Sequence, residues 1–217
     1  MGGNEKQGRE FLLSRPDGPQ DFPDGSMTGI YIALLHYPVY NRRGETVTTA
    51  VTNLDIHDIA RAAMTFGVRR FYVVTPIEEQ RILVRRIVNH WREGFGSRYN
   101  PWRKEAFGTI AVAASLEEAG DDIEKETKRR AVTVATGASL TGPFLSFSEM
   151  REQIHSRDVP FLLLFGTGSG LAKEVVDLAD HRLEPILGIS GYNHLSVRSA
   201  AAIVLGRLMG SLQAGPA

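Results

Sequence analysis

Two glycine-bearing stretches carry residue types that could do chemistry on a bound molecule. In "LLLFGTGSGLAKEV" Gly166, Gly168 and Gly170 follow an apolar run and precede a helical pattern. Glycines there let backbone NH groups approach a ligand at a helix start. The run lacks the third glycine of a dinucleotide fingerprint. Lys173-Glu174 also does not supply the Lys-Ser/Thr pair of a phosphate-binding loop. A plain tight turn explains these glycines as well. The second stretch, "EPILGISGYNHLSVRSAAAIVL" (Glu184–Leu205), places Gly188, Gly191, Tyr192, Asn193 and His194 just before a helix opening on Ser199-Ala200-Ala201-Ala202. Small residues there admit another backbone, a ligand or a partner helix. The plain alternative is an Ala-rich packing helix capped by Asn193 or Ser196. "ATGAS" (Ala135–Ser139) ends another apolar run in the same way.

Charged side chains add two further candidates. "NLDIHDIARAA" sets Asp55, His57, Asp58 and Arg61 on one helix, and His57 and Arg61, four apart, share a face. A solvated helix face is the ordinary fate of such charges. Basic residues gather at Arg42 and Arg43, and again from Arg69 to Lys104, where Tyr99 and Trp102 are interleaved. Arginine beside aromatics is what phosphate contact and base stacking need. Acidic charge balances them at "EEAGDDIEKE". The histidines at 36, 57, 90, 155, 181 and 194 show no ligand spacing, so no metal is expected.

The elements that must position these residues follow from periodicity. "GIYIALLH" reads as a buried strand, and the polar segment after it is long for a structural loop. Asn53 or Asp55 caps a helix that Gly67 stops. "RRFYVVT" is a strand, and Pro76 opens a helix to about Trp91, which "GFGSRYNPW" breaks. A strand is expected at Thr109–Ala113 and a helix at Leu116–Lys128. A strand "AVTVAT", a helix Phe147–His155, a strand "PFLLLFG", a helix "LAKEVVDLA" and a strand "HRLEPI" precede the closing helix. Solidly apolar strands alternating with helices indicate an α/β fold, a mostly parallel sheet covered on both faces. Ligands in such sheets bind beyond the carboxyl ends of the strands, where all three glycine-bearing turns lie.

The 217 residues suit one domain with extensions. Residues 1–27 read as a disordered leader and residues 28–217 as a single domain. Formal net charge is zero, so the whole chain is not drawn to nucleic acid or membrane by charge alone. The absence of cysteine excludes disulfides and thiolate chemistry and fits a reducing compartment. No apolar run reaches about 18 residues, so no membrane partner is expected. The N-terminus has no secretory apolar region, and the chain is expected in the cytoplasm.

Three segments together resemble the SPOUT class of RNA methyltransferases. "TNLDIHDIARAAMTFGVRRFYVV", "LLLFGTGSGL" and "EPILGISGYNHLSVRSAAAIVL" are similar to its three motifs in order, over about Gly29 to Met209. More closely, "LHYPVYNRRGETVTTAVTNLDIHDIARA" and "YNHLSVRSA" resemble a bacterial branch of S-adenosylmethionine-dependent RNA methyltransferases. The resemblance implies a C-terminal deep trefoil knot, an exception to unthreaded topology, together with a homodimer and a tRNA or rRNA substrate. It also implies S-adenosylmethionine held near Thr136 and Gly137, by Leu164, Phe165, Gly166 and Thr167, by Ile186 and Gly188, and by Tyr192, Asn193, Leu195 and Ser196. Arg61, Asn193, Ser196 and Arg198 are the catalytic candidates on the same ground, with His57 or Asp55 as proton acceptor. The chain departs from the 2′-O-methylating branch at four places. Ser196 replaces Asn, Arg198 replaces Ser, Asp55 replaces Asn and His57 replaces Gly. Base methylation therefore stays open beside 2′-hydroxyl methylation. The competing readings are a non-catalytic RNA-binding protein that keeps the fold and, from the glycine loop alone, a nicotinamide-dinucleotide oxidoreductase.

Overall fold

The computed structural model describes residues 29–190 and 192–210; the leader expected at 1–27 lies outside them, as does Gly191. Strand β1 (Ile30–Leu35) is buried at every position. Strand β4 (Arg70–Val74) pairs with it on one side and β7 (Phe161–Gly166) on the other, both parallel. The strands β5 (Ile110–Ala113), β6 (Val132–Ala135) and β8 (His181–Arg182) complete a six-stranded sheet, ordered β5-β4-β1-β7-β6-β8. Every pairing in it is parallel. A continuous apolar run such as "IYIALL" suits a central strand because helices cover both of its faces.

The two faces divide by alternation along β1. Ile30, Ile32 and Leu34 join the core under helices α1 (Asn53–Thr65), α2 (Glu78–Arg92), α4 (Pro101–Gly108), α6 (Phe147–Ser156) and α8 (Val197–Met209). Tyr31, Ala33 and Leu35 face the core under α5 (Leu116–Thr127) and α7 (Lys173–Leu178).

Local structure departs from the expected elements in four places. The helix cap is Thr52, whose hydroxyl accepts from Asp55 N, rather than Asn53 or Asp55. The long polar segment contains a hairpin, β2 (Val39–Tyr40) with β3 (Thr46–Val47). Its turn is closed by the Asn41 side chain, which accepts from Arg43 N and Glu45 N. The expected break at "GFGSRYNPW" holds α3 (Phe95–Tyr99) and the start of α4. Asn100 caps α4 by accepting from Arg103 N, and Pro101 occupies the first turn, where no amide is needed. The final strand pairs with β6 only at His181–Arg182, because the chain then turns to bridge Leu183 with Leu145, and Pro185 beyond it has no amide to donate to a ladder.

The closing helix α8 returns from the β8 edge to pack on α1. Its small residues divide between two faces. Ala201 is fully buried in the same core as Ala60 and Ala63 of α1. Val197, Ala200 and Val204 line a cleft instead. A larger side chain at 201 has no space without moving a helix. Ala201→Leu is therefore expected to destabilise the fold by about 1–3 kcal/mol, read as a lower urea midpoint at unchanged m-value.

Candidate active site

The cleft opens at the carboxyl ends of β1, β6 and β7, where the sheet's connections diverge, and has a volume of ≈ 990 Å³. That is the upper range for small-molecule sites and the place where open α/β sheets bind ligands. One wall is Thr136 to Thr141 after β6, and the floor is Phe165 to Leu171 after β7. The third side is Ile186 and Asn193 to Val197, closed by Ala200 and Val204. Arg42, Asp55, Lys173, Asp177 and Arg182 line it as well. Apolar side chains at Leu140, Phe165, Ile186 and Val204, hydroxyls at Thr136 and Ser139 and both signs of charge suit a nucleoside carrying a charged tail, so the residues present fit S-adenosylmethionine.

Of the sequence-predicted holding residues, Thr136, Gly137, Phe165, Gly166, Thr167, Ile186, Asn193, Leu195 and Ser196 line the cleft. Leu164 does not: it is buried in β7, and its carbonyl accepts from both the amide and the hydroxyl of Thr136. Gly188 and Tyr192 are exposed in the loop before α8, outside the lining. Ser196 is the α8 cap, accepting from Ser199 N.

Three amides of the glycine loop are bonded to backbone carbonyls of the protein itself. Thr167 N donates to Leu35 O, Ser169 N to Tyr40 O and Gly170 N to Thr167 O. Gly168 has φ +60, and a Cβ there would stand 2.6 Å from Tyr40 O. The glycines thus let the loop press against β2, and these amides are already engaged. Nothing in the residue pattern signals this, because the hairpin receiving the loop lies in a polar segment.

A part-buried hydrogen-bond chain fixes the loop. Thr167 Oγ1 donates to Leu35 O at 3.0 Å and so accepts from Thr49 Oγ1. Thr49 Oγ1 in turn accepts from His36 Nδ1 at 3.1 Å. The network assigns the Nδ1–H tautomer to His36, and its Nε2 has no partner among the described residues. His36 is fully buried, and burial pushes it down to about 4, with Asp55 opposing. No sequence signal distinguished this histidine from the other five.

The catalytic candidates fall in different places. Arg198 pairs with Asp55 at 2.9 Å and with Asp58 at 3.3 Å. Asp55 is buried and also accepts from the Thr52 hydroxyl at 2.6 Å, so both its oxygens are engaged. Two of the four departures, Asp55 and Arg198, therefore meet as one ion pair linking α1 to α8. Arg61 lies exposed on α1, outside the cleft lining. His57 is half-buried against the rings of Trp91 and Phe107, also outside the lining. Burial first, then Arg103, pushes its pKa down against the pull of Asp58. Among the described residues no group of three His, Asp or Glu could hold a metal ion.

Two outcomes are expected. Arg198→Ala leaves a buried carboxylate without its cation, a loss of about 2 kcal/mol or more. Adding Asp55→Asn should recover much of that loss in urea titrations. For His36, the unfolded chain takes up a proton near pH 6.5 and the folded one only at about 4. Stability is then full above pH 6.5 and falls towards pH 4 by up to about 3 kcal/mol. His36→Gln should flatten that part of the pH profile.

Comparison with known proteins matches this geometry. A family model of SAM-dependent RNA methyltransferases matches residues 29–210. An uncharacterized protein of Aquifex aeolicus (strain VF5) is 41% identical over 179 residues, covering 82% of this chain and 87% of that protein. A tRNA (guanine-N(1)-)-methyltransferase of Oleidesulfovibrio alaskensis is 45% identical over 181 residues. That match covers 83% of this chain but only 42% of the relative, whose name describes the whole protein. Among solved structures, a putative methylase family protein from Neisseria gonorrhoeae superposes with TM-score 0.59 at 17% identity, covering 91% of this chain and 88% of that one. TrmJ from Z. mobilis ZM4 gives TM-score 0.52 at 17% identity, covering 88% and 72%. The parallel α/β fold of SPOUT methyltransferases is thereby shown. On its sequence, its sheet and its cleft, this chain belongs to the family of S-adenosylmethionine-dependent RNA methyltransferases.

Proposed function

We propose that the chain methylates a nucleotide of tRNA or rRNA in the cytoplasm, as a homodimer whose subunits are single knotted domains from residue 28. The observation that carries the placement of chemistry is the cleft at the carboxyl ends of β1, β6 and β7. Thr136-Gly137, Phe165–Thr167, Ile186 and Asn193–Ser196 would hold the cofactor. When bound, S-adenosylmethionine supplies a methyl group on a sulfonium, which a nucleophile must approach in line. Positioning accounts for several kcal/mol of such a reaction.

This chain's residues divide the remaining work. Asn193 and Ser196 line the cleft on its α8 side, and a target nucleotide brought to the cofactor would meet them there. Arg198 lies outside the cleft lining with its charge taken up by Asp55 and Asp58, so it would position Ser196 and the start of α8. Arg42 lies exposed in the cleft lining with no ion pair among the described residues and is placed to meet a phosphate. Arg61 presents a second cation from α1 for a forked phosphate contact. His57, with its depressed pKa, is neutral near pH 7 and able to accept a proton. The tRNA substrate class is supported by the name of the Oleidesulfovibrio relative. The paired departures at Asp55 and Arg198 favour a base over a 2′-hydroxyl.

The dimer is supported by the loop before α8, which exposes Leu187, Ile189, Tyr192 and Leu195. Four large apolar side chains in nine residues are what a second subunit would cover. The knot is supported by the path from the β8 edge back to α1, across the ends of β6 and β7. No helix among the described residues is long and apolar enough to cross a membrane.

Thermal unfolding tests the cofactor first. S-adenosylmethionine or S-adenosylhomocysteine at about 100 times its dissociation constant should raise Tm by roughly 5–10 °C, while NAD and ATP do not. No shift from either sulfur nucleoside would instead favour an RNA-binding protein without turnover. Arg61→Ala should lower transfer to bulk tRNA or rRNA by about tenfold or more while leaving the S-adenosylmethionine shift intact. Wild-type transfer would remove Arg61 from the site. Ile189→Asp should convert a dimer to a monomer in light scattering.

A further inference from the structure

The elbow formed by α3 and α4 does more than connect α2 to β5. It exposes Phe95 at 76%, Tyr99 at 76% and Trp102 at 57%. Phe95 and Tyr99 lie nearly parallel, 20° between rings with centroids 6.3 Å apart. A connector selected only for stability would not leave three large aromatics in water within eight residues.

The elbow is also firmly seated. Gly96 packs so closely on Trp91 that a Cβ would stand 2.6 Å from Trp91 Cε3. The Arg103 guanidinium lies 4.5 Å from the centre of the same ring. Asn100 caps α4. The exposed rings are therefore presented from a fixed base, at little ordering cost when something stacks on them.

Charge identifies the occupant. Between Trp91 and Glu105 the sequence has four basic and two acidic residues. Arg92, Arg98 and Lys104 are exposed and form no ion pair among the described residues. The acidic helix α5, with six carboxylates from Glu117 to Glu126, packs on the opposite face of the sheet. A chain of zero net charge thus turns a basic aromatic face one way and an acidic face the other. Adjacent on the basic side is α1, where His57 touches Trp91 and Phe107, with Arg61 one turn on.

We propose that the α3–α4 elbow is a stacking platform for unpaired nucleotides of the RNA substrate, with bases on Phe95, Tyr99 and Trp102 and phosphates on Arg98 and Lys104. Bases can leave their neighbours for an aromatic side chain only where the RNA is single-stranded, in a loop or at an end. This inference rests on the chain's membership of the RNA methyltransferase family.

The test uses the full chain with two fluorescein-labelled probes, a 12-nucleotide oligouridylate and a blunt 12-base-pair RNA duplex, at low and moderate salt. The oligouridylate is expected to bind more tightly than the duplex and to quench tryptophan fluorescence. The triple variant Phe95→Ala/Tyr99→Ala/Trp102→Ala should weaken oligouridylate binding by tenfold or more. Arg98→Gln/Lys104→Gln should weaken binding to both probes and reduce its salt dependence. The Tm shift with S-adenosylmethionine, measured on every variant, reports the cleft and the fold separately. Wild-type oligouridylate binding by the triple variant, or no binding by the wild type, would overturn the platform. So would a dimer that dissociates in the triple variant with RNA binding unchanged, since the aromatics would then serve a protein contact. Absence of an S-adenosylmethionine shift in the wild type would instead count against the proposed methyl transfer, while the two RNA probes still decide the platform.

Discussion

One carboxylate sits where the structure must be closed. Asp55 lies almost out of water at the start of α1 and faces Arg198 in the first turn of the last helix. A charge in that position is tolerable only when paired. The pair therefore ties α8 to α1, on the far side of β7 and β6 from the edge strand the chain has just left. The cleft depends on it, because Val197, Ala200 and Val204 form its wall only when α8 is docked. The same carboxylate accepts from Thr52 and so also fixes where α1 begins.

A second constraint works from inside the sheet. The chain His36–Thr49–Thr167–Leu35 O joins the end of β1, the hairpin segment and the glycine loop through part-buried side chains. Thr167 stands 118 positions from Thr49 in the sequence, so the chain ties two distant segments together. The floor of the cleft is thus set by hydrogen-bond direction, and the walls by the volume of small residues. Ligand recognition in such a site is largely prepared before anything binds, which lowers the ordering cost of binding.

Much of the architecture was legible because its signals are local. Apolar runs such as "IYIALL" and "FLLLFG" can only be buried strands when helical patterns alternate with them. The turns after β6 and β7 and before α8 are legible as glycine-bearing ends of strands, and residues of each line the cleft, though Gly188 and Tyr192 do not. What escaped the sequence is long-range. The meeting of Asp55 with Arg198 spans most of the chain. The glycine loop's bonds go to a two-residue hairpin strand too short to show alternation. His36 looks like any histidine until its burial is known. Helix α4 was missed because Gly, Tyr, Asn and Pro crowd its entrance, although Asn100-Pro101 is itself a helix start.

The position of β1 has a consequence for synthesis. The first strand of the described chain is central in the sheet, and its Ile30 pairs with Phe161. At about 5–20 residues per second, a ribosome exposes β1 for on the order of ten seconds before that neighbour exists. During that interval a strand buried at every position in the finished fold has a bare edge, and edges of that kind recruit other chains. β4 arrives sooner and covers one side, so the early nascent chain can hold a half-sheet whose other side stays open. The cleft, built from loops after β6 and β7 and from α8, can form only after α8 has been made and docked. Cofactor binding therefore has to wait for a helix that begins about 160 residues after β1 ends.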